Sequence, residues 1–127
     1  MTAPTRHKVL WVEDDSFLND IIAQKLAQQD WNILNASEGE TALHLAQTEH
    51  PAVIVLDILL PGMDGIEVLR RLKSDESTKD IPVILFTNLD DAEKMEQSKA
   101  LGVAGFFVKA KTDLETIITA VQAAMPR

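Results

Sequence analysis

The sequence contains no cysteine, so disulfide scaffolds, cysteine-based zinc sites and thiol nucleophiles are excluded together. Its three histidines, His7, His44 and His50, lack close ligand spacing, which leaves oxygen as the only donor for a bound metal. No stretch approaches the roughly 20 apolar residues needed to cross a bilayer, and Met1 to Lys8 has no apolar core of signal-peptide length. A soluble, cytoplasmic protein is expected. Basic residues are also scarce: 12 Lys and Arg stand against 20 Asp and Glu, a formal charge of −8. Nonspecific binding to nucleic acid or anionic membrane depends on a positive surface that releases counterions, so neither is expected. The acid surplus suits a cation or a basic partner. Low-complexity tracts and linkers are missing as well.

What is present fits one domain over residues 1–127, since 46% hydrophobic and 25% charged residues suffice for a packed core. Apolar runs begin at Val9 (VLWV), Trp31 (WNILNA), Val53 (VIVL), Val83 (VILF) and Gly105 (GFFV). Three of them, VLWV, VIVL and VILF, are apolar on both faces, as strands are when helices cover both sides of a parallel sheet. Between the runs lie segments of helical period. Ser16 to Gln29 groups Phe17, Leu18, Ile21, Ile22 and Leu26, and Asp113 to Met125 groups Leu114, Ile117, Ile118 and Val121. Ser37 with Glu40, and Thr112 with Glu115, have the spacing of capping boxes. This alternation of strand and helix predicts a doubly wound α/β fold.

In such a sheet, ligands bind beyond the carboxyl ends of the strands, where the strand order reverses. The residues following the runs are Glu13, Asp14 and Asp15 after the first, Asp57 after the third, Thr87 closing the fourth and Lys109 after the fifth. Carboxylates crowded in one crevice repel by several kcal/mol per pair at an effective dielectric of about 20. Oxygen ligands in a small open site suit Mg²⁺, and Lys109 adds a fixed positive charge. An Asp beside a metal and an ammonium is a competent nucleophile toward phosphorus, with Lys109 and the Thr87 hydroxyl binding the phosphoryl oxygens. The implied product is an aspartyl phosphate. Taken singly, Asp14 or Asp15 is more often a helix cap and Thr87 a strand-end hydroxyl bonded to backbone. Asp57 is different, because a charge inside VIVLDILLP interrupts an apolar run at an energetic cost.

These pieces, VLWVEDD, VIVLDILLPGMDG, ILFT and FFVK, resemble the receiver domain of bacterial two-component response regulators over nearly the whole chain. The resemblance implies a flavodoxin-like five-stranded parallel sheet in the order 2-1-3-4-5 with five helices. It implies that Asp57 is the phosphoacceptor, that Asp14, Asp57 and the Leu59 backbone carbonyl hold Mg²⁺, and that Glu13 acts on the metal indirectly. Asp15 falls outside the acidic pair. Thr87 corresponds to the switch hydroxyl, Lys109 to the family's lysine and Phe106 to its aromatic switch position. The implied phosphodonor is a sensor histidine kinase or a phosphotransfer protein. The implied output is a downstream protein target, reached through a changed surface on helix four, strand five and helix five. A weak homodimer is compatible with this pattern.

Three departures stand out. Ala110 follows Lys109 where the family usually has a cis-linked proline, and a cis bond without proline costs about 3 kcal/mol. Asn88 replaces the common small residue after the threonine, where it narrows access or adds a hydrogen bond. Leu59 and Leu89 are apolar where polar side chains of relatives position hydrolytic water, which predicts a long-lived phosphoryl group. An aspartate-nucleophile phosphatase is the competing enzyme reading, disfavoured because Leu59 stands where those enzymes carry a second Asp. A flavodoxin-like cofactor binder is disfavoured by the acids in the crevice. A receiver fragment of a larger DNA-binding regulator is the remaining alternative to a stand-alone, chemotaxis-type messenger or phosphorelay intermediate. Pro61, Gly62 and Gly65 are expected to be geometric, Trp11 and Trp31 to be packed, and Arg70, Arg71 and Lys73 to be a solvated helix end.

Overall fold

The structure is a computed structural model in which residues 7–89 and 91–126 are described. Its elements alternate as β1 (His7–Val12), α1 (Ser16–Leu26), β2 (Trp31–Ala36), α2 (Gly39–Glu49), β3 (Val53–Leu56), α3 (Gly65–Ser74), β4 (Val83–Thr87), α4 (Ala92–Ala100), β5 (Gly105–Val108), a 3₁₀ turn at Lys109–Lys111, and α5 (Leu114–Ala124). The strands form one parallel sheet in the order β2-β1-β3-β4-β5. Fold class, strand order and helix number are those expected.

Alternation along the central strands builds two cores. Val9, Trp11, Val53, Val55, Ile84 and Phe86 face α1 and α5, where Ile22, Leu26, Ile117, Ile118 and Val121 cover them. Leu10, Val12, Ile54, Leu56, Val83 and Leu85 face the other way, onto Ala42 and Ala46 of α2 and Ile66, Val68, Leu69 and Leu72 of α3. Trp11 is fully buried and meets Phe86 edge to face, with ring centroids 6.2 Å apart. The one buried residue of α4 is Ser98, so that helix is the most lightly attached of the five.

Two local expectations are corrected. In α1 the buried row is Ile22 and Leu26 with half-buried Leu18, spaced four residues apart, while Phe17 is 73% exposed and Ile21 41%. Phe17 and Ile21 lie on the neighbouring row, about 100° around the helix, too far to reach the sheet. The caps also shift by one residue. Asp113, not Thr112, caps α5 by accepting from the Thr116 N–H and hydroxyl, and Glu38 precedes α2 without a side-chain bond. The start of α2 is set instead by packing, since a Cβ on Gly39 would lie 2.7 Å from Val68 Cγ2.

Candidate functional site

The register delivers the sequence-selected acids to one edge. Val12 pairs with Leu56 and Leu56 with Leu85, so Glu13, Asp57 and the end of β4 emerge side by side where β1 and β3 meet. Main-chain bonds fix the two acidic positions: Asp57 N–H donates to Val12 O at 3.1 Å, and Glu13 N–H donates to Ala36 O at 2.9 Å. Glu13 is 2% exposed and Asp57 4%, whereas Asp14 stands open to solvent. Each of the three offers a carboxylate oxygen within 4.8 Å of the others.

Lys109 lies between the two buried acids. Its Nζ donates to Asp57 Oδ2 at 2.8 Å and to Glu13 Oε1 in a second, short bond, and it sits 5.9 Å above the Phe86 ring centroid. Burial works against the charged ammonium, but the bonds and charges of Asp57 and Glu13 outweigh it and hold the Lys109 pKa above the ordinary lysine value. Burial pushes Glu13 the opposite way to its partners: desolvation raises its carboxyl above the usual range, against the lowering effect of Lys109 and of the Asp15 N–H on Oε2. The substitution of Ala110 for proline leaves this placement intact, since the 3₁₀ turn at Lys109–Lys111 starts directly after β5 and carries the lysine to the acids.

The remaining selected residues divide. Leu59 N–H donates to Asp57 Oδ1 at 3.0 Å, so the loop after β3 orients the carboxylate, while the Leu59 side chain is 51% exposed. Thr87 is fully buried, and its hydroxyl oxygen accepts from Leu89 N–H at 3.2 Å, the backbone role common for such residues. Asn88 is exposed, whereas half-buried Leu89 and Phe106 pack against the α2–α3 core. Asp15 caps α1, accepting from Phe17 and Leu18 N–H, which explains why it stands outside the acidic group. The three described histidines are exposed.

Two contributors to the site, Gly65 and Phe86, and one tie at the opposite edge of the sheet, Lys73, escape a reading by strand ends. Gly65 presses so closely on the chain that a Cβ there would lie 2.2 Å from Asp57 O and 2.5 Å from Ile58 Cα. Phe86, between Trp11 and Lys109, reads only as core. Lys73, expected to be solvated with Arg70 and Arg71, donates to Lys79 O and Ile81 O, tying the end of α3 to the loop before β4. A glycine opening a helix eight residues after a strand-end acid is the one sequence signal that could have found any of them.

A crevice of acids and one lysine at the switch point of a 2-1-3-4-5 sheet is matched by the family model of the response regulator receiver domain over residues 9–122. The chain belongs to that family. The receiver domain is 36% identical over 107 residues to the response regulator PleD of Caulobacter vibrioides, covering 84% of this chain and 24% of PleD. It is 34% identical over 119 residues to the probable transcriptional regulator ycf27 of Guillardia theta, covering 92% and 46% respectively. The chain therefore spans less than half the length of these relatives. The chemotaxis response regulator CheY4 of Vibrio cholerae is similar in structure at a TM-score of 0.84 and 28% identity, with 95% of this chain and 100% of that one covered. Receiver domains bind Mg²⁺ at an acidic pocket and interact with histidine kinases or phosphotransfer proteins in phosphorylation-dependent signalling. Among the described residues, no helix is long and apolar enough to cross a membrane.

The donor set of this receiver domain fits Mg²⁺. All three carboxylates are hard oxygen donors, and among the described residues neither the Asp14 carboxylate nor the Leu59 carbonyl enters a recorded hydrogen bond. Three ionised carboxylates against one ammonium leave two negative charges, which the two positive charges of one Mg²⁺ would offset.

Proposed function

We propose that this receiver domain is a cytoplasmic signalling switch that takes a phosphoryl group onto Asp57 from a sensor histidine kinase or a phosphotransfer protein. The observation that carries the reading is the placement of Asp57, 4% exposed at the sheet edge, with one oxygen on Lys109 and the other on the Leu59 N–H. A carboxylate held at both oxygens has its orientation settled before the donor arrives, which removes an entropic part of the barrier. One Asp57 oxygen attacks phosphorus, the phosphorus–nitrogen bond of the donor breaks, and the electron pair leaves with the donor imidazole, which takes up a proton. Lys109 and the Thr87 hydroxyl bind the phosphoryl oxygens. Asp14, Asp57 and the Leu59 carbonyl would hold Mg²⁺, with Glu13 acting indirectly; when bound, the metal neutralises charge on the transferring group.

The added charge of about −1.5 to −2 recruits Thr87 from its bond to Leu89, and Phe106 turns into the space released. The face built by α4, β5 and α5 then presents a different surface to a downstream protein target. The light attachment of α4 supports this choice of output face. Incubation with an autophosphorylated histidine kinase or charged phosphotransfer protein should label the native chain and leave Asp57→Asn unlabelled; equal labelling of both would remove Asp57 from its role.

Phosphoryl lifetime is the second expected property. The Leu59 side chain is exposed and offers no polar atom to a hydrolytic water, and Leu89 is drawn against the core. Phosphate release should be slow in the native chain and severalfold faster in Leu59→Asn, with a smaller gain in Leu89→Glu. Unchanged decay in both variants would overturn this account of access.

A further inference from the structure

We infer that Asn19 is a positioning residue for the turn Glu13–Asp15, and through it for the carboxylates assigned above to Mg²⁺; the inference rests on that reading of the pocket. Asn19 lies one turn into α1, and its Nδ2 donates to the backbone carbonyl of Glu13 at 3.0 Å. The rest of the turn is tied elsewhere: Glu13 N–H to Ala36 O, Asp15 N–H to Glu13 Oε2, and Asp15 Oδ1 to the first amides of α1. Among the described residues, the Glu13 carbonyl is held by Asn19 alone. That carbonyl lies in the planar Glu13–Asp14 peptide, so its direction sets where Asp14 Cα, and hence the exposed Asp14 carboxylate, stands relative to Asp57.

The choice of asparagine does not serve the helix. Asn is a weak helix former, and here its Oδ1 is buried without a partner among the described residues, an arrangement that costs stability. Only the donor half of the amide is used. A neutral side chain that keeps the amide donor, such as glutamine, should therefore replace Asn19 at least in part, whereas the near-isosteric leucine should not.

The test is calorimetric titration of the full chain with Mg²⁺, together with thermal melting in EDTA, for the native protein, Asn19→Leu, Asn19→Ala and Asn19→Gln. Loss of a group that orients metal ligands costs about 10- to 100-fold in metal affinity, and that loss is expected for Asn19→Leu and Asn19→Ala. Their melting in EDTA should stay near native, and Asn19→Gln should bind Mg²⁺ more tightly than either apolar variant. Native affinity in the apolar variants overturns the inference while leaving the pocket intact, and so does glutamine binding as weakly as leucine. A lowered melting temperature with unchanged affinity overturns it too, since Asn19 would then be a strut of the fold. Should one apolar variant not fold, the other is read against Asn19→Gln. Absence of Mg²⁺ binding by the native chain overturns the pocket reading itself, and the inference with it.

Discussion

Replacing Lys109 with methionine is expected to destabilise the metal-free chain by about 3–5 kcal/mol, the cost of leaving a buried charge without its partner. The ammonium lies between two carboxylates that are 2% and 4% exposed, and methionine keeps most of the apolar stem, one atom shorter, while removing the charge. Glu13 and Asp57 would then face each other with the Asp15 and Leu59 N–H groups as their remaining recorded donors. Asp57→Asn should cost far less, because Lys109 still has Glu13. Urea unfolding in EDTA measures both. Mg²⁺ should recover more stability in Lys109→Met than in the native chain, since a pocket without the ammonium binds the cation more tightly and each tenfold gain in affinity adds about 1.4 kcal/mol at saturating metal. A Lys109→Met midpoint equal to that of Asp57→Asn would contradict the view that the lysine holds two acids.

Gly65→Ala should cost less stability but more activity, although alanine is the better helix former by about 1 kcal/mol. The added Cβ would start 2.2 Å from Asp57 O, 2.5 Å from Ile58 Cα and 2.9 Å from Asp57 C, all of them backbone atoms. Helix α3 cannot retreat, because Ile66, Val68, Leu69 and Leu72 anchor it in the core. The strain falls on the Asp57–Ile58 segment instead. Overpacking of this kind costs about 1–3 kcal/mol, and displacing a reacting group by about 1 Å costs about 100-fold in rate. Stability by urea unfolding and the rate of phosphoryl uptake from a small-molecule donor should therefore fall together. Native values for both would show that the loop yields without moving Asp57.

Much of this architecture is legible in the chain because its signals are local. Short runs apolar on both faces, recurring between segments of helical period, read as interior strands, and Asp57 announces itself by interrupting the apolar stretch around β3. The acids and the lysine at strand ends need only the topology to bring them together. What a strand-end reading misses are contacts between distant segments. Gly65 touches the backbone of Asp57 across a loop, Asn19 reaches back from α1 to Glu13, and Phe86 lies beneath Lys109. None of these has a composition or period of its own. The exposure of Phe17 and Ile21 was hidden for a related reason, since a wide apolar stripe does not say which of its rows meets the sheet.

The central claim is that this pocket itself transfers a phosphoryl group onto one carboxylate. Incubating the native chain and Asp57→Asn with acetyl phosphate and Mg²⁺, and measuring intact mass, tests it with no partner protein present. The account predicts a gain of about 80 Da in the native chain, abolished by EDTA and missing from Asp57→Asn. No gain in the native chain, or the same gain in both, would contradict it.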